Sequence, residues 1–357
     1  MKKSAIILFL LTLSCFALRA EESSEPVIVP KEYTKDIDAL ASYIKENSRD
    51  TRQMLWSLQN WLSENVVYDI STSDVQSKYD TEGLANWTLR NKRGVCANFS
   101  SLFSEVSNRM GIPMFIIEGY TLNDKIRGVN GGHAWCACVI DSVPYLFDPT
   151  WDSGYVDPDN VRNYHKRLSS KFFMVSPDSL KNSHVPYDPL MRLGAKASSD
   201  QEVGDTMNPP AVEDAGWLDS LRVFFLLDTL EQKKAIYDRI IRYGDKNKLA
   251  VAYAANVKHY IDAHTLDEQQ NKCERIIYQI SDLHNRIVDL NFVSPGAERS
   301  MQHKIGELRA ELNDAVARTN SVTTSALAKP AKEIRSYLQD LLRKVDKCET
   351  LLKKKKK

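Results

Sequence analysis

From Cys273 to Leu352 the apolar residues recur in alternating steps of three and four. Cys273, Ile276, Ile280, Leu283, Ile287 and Leu290 make one series, and Ile305, Leu308, Leu312, Ala315, Thr319 and Val322 a second. Ile334, Leu338, Leu341, Val345, Cys348 and Leu352 make a third. A stripe with this period runs along one side of a helix, and it is stable only when another such stripe covers it. Ser294-Pro295-Gly296 and Lys329-Pro330 supply the bends between the series. Three antiparallel helices are the simplest packing, with pairing between chains left open. Upstream, Leu221, Phe224, Phe225, Leu227 and Leu230 form one apolar helical face, and Leu249 to Ile261 a shorter one. Residues 217–357 are therefore expected to be an all-α bundle or coiled-coil domain that ends in the run Lys353 to Lys357.

Before residue 217 the pattern changes. Between Ala195 and Gly216, Ser198-Ser199, acidic residues and Pro209-Pro210 replace the periodic apolar pattern, which reads as a linker over 195–216. Residues 51–194 form an α+β domain, and residues 21–50 are a lead-in followed by a first helix around Ile37, Leu40 and Ile44. Asp50 with Gln53 caps a second helix carrying Met54, Leu55, Leu58, Trp61 and Leu62. Thr81 to Asn91 reads as a further helix. After Cys96, the residues Phe99, Leu102, Phe103, Val106 and Met110 define a helix that Gly111 and Pro113 stop. Met114 to Tyr120 reads as a strand, and a polar loop through Asn123, Asp124 and Asn130 follows. Two more strands, His133 to Ile140 and Tyr145 to Thr150, are joined at Asp141-Ser142 as an antiparallel hairpin.

Three residues in this domain have the makings of nucleophilic catalysis. Cys96 stands at a helix N-terminus, where unpaired N–H groups and the positive end of the dipole favour thiolate over thiol, and Gly94 lets the chain turn closely beneath it. His133 and Asp148 follow in the order of a proton acceptor and the carboxylate that orients it. A hairpin turn of two or four residues puts Asp148 on the same sheet face as His133; with two it lies opposite Trp135. A three-residue turn reverses that parity.

The motifs around these residues resemble the transglutaminase-like superfamily of papain-like cysteine enzymes. The resemblance rests on Gly94-Val95-Cys96-Ala97-Asn98-Phe99-Ser100, Gly111-Ile112-Pro113, His133-Ala134-Trp135 and Asp148-Pro149-Thr150-Trp151-Asp152. It continues into Phe172-Phe173-Met174-Val175-Ser176-Pro177 and His184-Val185-Pro186-Tyr187-Asp188-Pro189, which look like the tail of a bacterial secreted branch. It covers roughly residues 51–193. It implies a papain-like, transglutaminase-core fold with an antiparallel sheet, Cys96 as nucleophile, His133 as general base and acid, and Asp148 as orienting carboxylate. The implied reaction attacks a protein or peptide amide through a thioester, which water resolves by hydrolysis or an amine by cross-linking. Hydrolysis is the favoured outcome, because water is always abundant. Cys136 stands where Asn often follows His-Ala-Trp, and no motif aligns with an oxyanion-hole side chain. The rival function is a non-enzymatic scaffold in which both domains recognise partners.

Residues 1–20 read as a signal peptide: Lys2-Lys3, an apolar run from Ala5 to Leu13, then small residues before cleavage after Ala17 or Ala20. The protein is accordingly expected to be exported. Lipidation at Cys15 is the less favoured alternative, because the leucine sits one place too near the cysteine. With 48 basic and 47 acidic residues the net charge is +1, a balance that does not suggest nucleic acid. Cys136 and Cys138 read as small packing residues two apart on one strand, while Cys273 and Cys348, each on an apolar seam, read equally as a disulfide or as buried thiols. No cofactor or metal motif is found. His165 and His184 read as structural or surface residues, and most of Trp61, Trp87, Trp135 and Trp151 as core. The lysine tail reads as a solvated end suited to the last helix's negative pole, with an anionic cell-envelope contact as the alternative.

Overall fold

The computed structural model describes residues 25–123, 128–157, 159–195, 216–244, 246–290 and 294–355. The expected signal peptide, Cys15 and nearly all of the expected linker lie outside them. The chain divides into two units, Met1–Val185 and Pro186–Lys357.

The first unit opens with α1 (Ile37–Asn47) and α2 (Thr51–Asn65). Asp36 and Asp50 cap them by accepting the N–H groups of Ala39 and Gln53, both at 2.8 Å. Then come β1 (Val67–Tyr68), α3 (Thr81–Asn91), β2 (Arg93–Gly94) and α4 (Cys96–Met110). Gly111 ends α4 in the left-handed conformation, at φ 89°. β3 (Met114–Asn123) and β4 (Gly128–Ile140) extend further toward each other than the expected polar loop allowed, since pairing persists to Asn123 and Gly128 across a register shift at Thr121/Leu122. β5 (Val143–Phe147) completes the hairpin. The turn has two residues, Asp141 and Ser142, at φ 49° and 66°, the mirror-image turn whose twist suits adjoining strands.

β6 (Gly154–Asp157) and β7 (Asn160–Lys166) form a separate antiparallel pair. After the short α5 (Pro177–Leu180), β8 (His184–Pro186) reaches the main sheet, whose order is β5-β4-β3-β8. The core of this unit lies between α1, α2 and α4 on one side and one face of the sheet on the other, around Leu40, Leu58, Phe99, Phe103 and Phe147. Cys136 and Cys138 belong to that core, as their alternation with His133 predicts. Ser100 donates to the Ala134 carbonyl at 2.9 Å and Ser104 to that of Met114 at 3.0 Å, which fastens α4 to β4 and β3.

In the second unit α6 (Trp217–Leu226) and α7 (Thr229–Tyr243) divide the apolar face that the sequence suggested was continuous. Asp228 causes the break: its side chain accepts from Glu231 N–H at 2.9 Å and starts a new helix, so Phe224 is buried while Phe225 is exposed. Arg239 of α7 grips Asp188 with two hydrogen bonds, at 2.7 and 2.6 Å. α8 (Lys248–Val288) runs unbroken through what the sequence suggested were two helices, because no Gly or Pro interrupts it. With α9 (Pro295–Asn320) and α10 (Ala328–Lys354) it encloses one core that includes Ile276, Leu308 and Leu341.

Ion pairs of Arg275 with Glu311 and Lys272 with Asp314 fix α8 and α9 as antiparallel, and Arg309 joins α9 to α10 through Asp346 and Glu349. Cys273 and Cys348 are buried free thiols in this core. Lys355 donates to the carbonyls of Val288 and Leu290, both at 2.8 Å, where the last carbonyls of α8 lack helical partners. Among the described residues, no helix is long and apolar enough to cross a membrane.

Candidate active site

β1 and β2 lie side by side in parallel, with Tyr68 opposite Gly94, and two residues later the chain enters α4 at Cys96. Gly94 is required for space: a Cβ there would stand 2.2 Å from Cβ of Asn98. Asn98 fills that space because its side chain accepts from Val95 N–H at 3.0 Å and donates to Thr88 Oγ1 at 2.9 Å. The half-buried Cys96 therefore sits on a rigid corner at the positive end of α4.

His133 comes from β4 and Asp148 from the residue after β5. With a two-residue turn and Cys136 opposite Phe147, the register carries Asp148 to a place across from Trp135 and diagonal to His133. His133 Nε2 is 2.7 Å from Asp148 Oδ2. The Cys96 side chain interacts with the same imidazole and favours its protonated form. The three residues singled out in the sequence thus meet in space.

Burial alone would oppose charge on both members of the His133–Asp148 pair. For His133, the negative charge of Asp148 and the hydrogen bonds from Asp148 and Cys96 outweigh burial, so its pKa is raised above the ordinary imidazole value. For Asp148, the charge and hydrogen bond of His133, joined by the hydrogen bond of His184, outweigh burial and hold the carboxyl below the usual carboxylate range. Asp148 Oδ1 also accepts the N–H groups of Thr150 and Trp151, at 3.0 and 3.1 Å.

Two neighbours were not identified from the sequence. His184 is fully buried, and its Nε2 lies 3.0 Å from the same Asp148 Oδ2. The only signal for it was its place in the His184-Val185-Pro186 motif. Tyr68 lies on a strand of two residues, too short to show a period. Burial, followed by the charges of Cys96 and Asp148, pushes its phenol up to about 12, so it remains a hydrogen-bond donor at neutral pH. His165, by contrast, is partly exposed and pairs with Asp157 at 2.9 Å on the β6–β7 hairpin.

His133, Asp148 and His184 offer ligand-type atoms within 4.8 Å of one another, the one such group of three among the described residues. Both imidazoles point Nε2 at a single carboxylate oxygen, and a carboxylate only accepts, so protons occupy these short contacts. That arrangement suits hydrogen bonding better than metal coordination.

The sequence model of the transglutaminase-like superfamily matches residues 38–149, a span that contains Cys96, His133 and Asp148. This region is a transglutaminase-like domain. Human kyphoscoliosis peptidase is 24% identical over 162 residues, which make up 42% of this chain and 23% of that protein. The transglutaminase-like domain thus answers to less than a quarter of the human protein. The uncharacterized acetyltransferase L280 of Acanthamoeba polyphaga mimivirus is 24% identical over 193 residues, 44% of this chain and 95% of that protein. Among solved structures, the periplasmic domain of TgpA from Pseudomonas aeruginosa is 19% identical and overlays with a TM-score of 0.29, covering 38% of this chain and 49% of that one. The family match ends one residue after Asp148, so the contribution of His184 lies beyond it.

Proposed function

We propose that the transglutaminase-like domain is a cysteine-dependent acyl-transfer enzyme acting on protein or peptide amides, with hydrolysis its main outcome. One observation carries the reading: a single buried imidazole, His133, joins the Asp148 carboxylate at 2.7 Å to the Cys96 thiol. In that arrangement the thiol proton passes to His133 Nδ1, and the imidazolium is held by Asp148. Cys96 Sγ attacks the amide carbon, and a C–S bond forms as the carbonyl oxygen becomes an oxyanion. We assign the stabilisation of this oxyanion to the N–H of Cys96 at the start of α4 and to the phenol of Tyr68, which lies close enough to feel the charge of Cys96. His133 gives its proton to the leaving amine, the C–N bond breaks, and a thioester remains. Water, losing a proton to His133, then attacks the thioester; the C–S bond breaks, and acid and thiolate are released. A primary amine in place of water gives a new amide by the same steps.

The names of two relatives, a peptidase and an acetyltransferase, both denote acyl chemistry and support this class of reaction. Residues 1–20 support export, which N-terminal sequencing of secreted material checks. The test of the chemistry is the rate of iodoacetamide modification of Cys96 at pH 6, followed by peptide mass spectrometry. Wild type is expected to react at least tenfold faster than His133→Ala. Equal rates would leave the scaffold reading in its place. Screening peptides with and without an added primary amine then separates hydrolysis from cross-linking.

A further inference from the structure

The geometry points to His184 as a positioning residue for the reaction proposed above, on which this inference rests. Asp148 is a carboxylate with four acceptor positions, and four donors reach it: His133 and His184 on Oδ2, and the N–H groups of Thr150 and Trp151 on Oδ1. Of the two imidazoles in that set, His184 is the one placed by the sheet and its aromatic surroundings. It arrives on β8, from the opposite side of the sheet order to β5, and its ring is walled by Trp151, Trp135 and Phe172 with centroids 4.6, 5.1 and 5.8 Å away. Among the described residues it contacts two titratable groups, Asp148 and His133.

The proton arrangement follows from its two contacts. Nε2 faces an acceptor-only carboxylate and carries a proton, while Nδ1 lies 2.8 Å from Ser183 Oγ. Ser183 has one hydroxyl proton and two neighbours for it, Nδ1 at 2.8 Å and the Leu180 carbonyl at 3.2 Å. Donation to the nearer one sets His184 as a neutral donor. A neutral donor satisfies Asp148 without neutralising it, so the carboxylate keeps both its charge and its aim at His133. Removing the N–H leaves a buried lone pair without a partner and frees the carboxylate to turn. His133 would then hold its proton less well, and Cys96 would be alkylated more slowly in mildly acidic solution.

Gln and Met at position 184 have nearly the same length, and only Gln brings an N–H to the place of Nε2. The measurement is the ratio of Cys96 alkylation rates by iodoacetamide at pH 6 and pH 9 in the full chain. At pH 9 an ordinary thiol, with a pKa of about 8.5, is itself largely ionised, so that rate reports access alone. The expected result is a ratio about tenfold below wild type in His184→Met and within about twofold of wild type in His184→Gln. Equal ratios in the two variants would overturn the proposal, because ring packing rather than the donor would then matter. His184→Phe replaces the Met variant if the latter does not fold, and is compared with Gln in the same way. A wild-type ratio no higher than that of His133→Ala would instead sink the reaction itself. A normal wild-type ratio with indifferent variants would sink only the role of His184.

Discussion

At the scale of single residues, two buried carboxylates four positions apart take opposite electrostatic paths. Asp148 is surrounded by donors and two imidazoles and stays ionised, whereas for Asp152 burial dominates over the hydrogen bonds from Ser169 and Phe172, and its pKa rises to about 7. Asp148→Asn would turn an amide N–H toward a donor, and is expected to lower Cys96 alkylation at pH 6 about a hundredfold while leaving the fold intact. The measurement is the alkylation rate beside a circular dichroism melt. Asp152 has the reverse linkage sign from the usual acid. Its folded pKa exceeds the unfolded value of about 3.9, so the folded state holds the extra proton between these values. Stability therefore falls as pH rises from about 4 to 7, by at most about 1.4 kcal/mol per unit. Asp152→Asn is expected to flatten that slope, checked by urea midpoints at pH 4.5 and 7.5; an unchanged slope would refute the assignment. Cys96, His133 and Asp148 could be read from the chain because each lies in its own motif. His184 could not, because its partner is 36 residues away and nothing between them signals the contact.

Elements are set by their ends as much as by their faces. The β4–β5 turn holds two non-glycine residues in the left-handed region, where an L side chain costs about 1 kcal/mol. Ser142→Gly is therefore expected to raise stability by about 0.5–1 kcal/mol in urea unfolding, with the Asp148 register unchanged. In the second unit, Asp262 of α8 is buried and accepts from Thr323 N–H at 3.1 Å, Thr324 N–H at 3.0 Å and Thr324 Oγ1 at 2.6 Å, besides pairing with Lys258. That one side chain ties the segment after α9 to the middle of α8. Asp262→Ala strands these donors and is expected to cost about 2–4 kcal/mol. The α4 helix was legible from its periodicity and its Gly111 and Pro113 stop, and α10 from its periodicity. β6, β7 and β8 were not, since strands of three to seven residues are too short to show a clean alternation.

On the scale of the whole molecule, the two units have separate cores, one around Phe99 and Phe103 and the other around Leu308 and Leu341. Phe103→Ala and Leu308→Ala each open a cavity and are expected to cost about 3–5 and 2–5 kcal/mol respectively. The prediction is one of location. Phe103→Ala should disturb Cys96 alkylation and leave the bundle's melting unchanged, and Leu308→Ala should do the reverse. Loss of Cys96 reactivity in Leu308→Ala would show that the two cores are energetically linked.

The sequence by itself determined which stretches are helical, that the first unit is α+β and the second all-α, and which three residues to examine for chemistry. Those properties depend on local spacing: apolar periods, caps, glycine where a Cβ has no room, and side-chain parity along a strand. The tertiary structure alone decided the two-residue hairpin turn that brings Asp148 to His133, the continuity of α8, and the second imidazole on Asp148. These depend on contacts between residues far apart in the chain, where distance and burial set the energy and the order of residues leaves no trace of it.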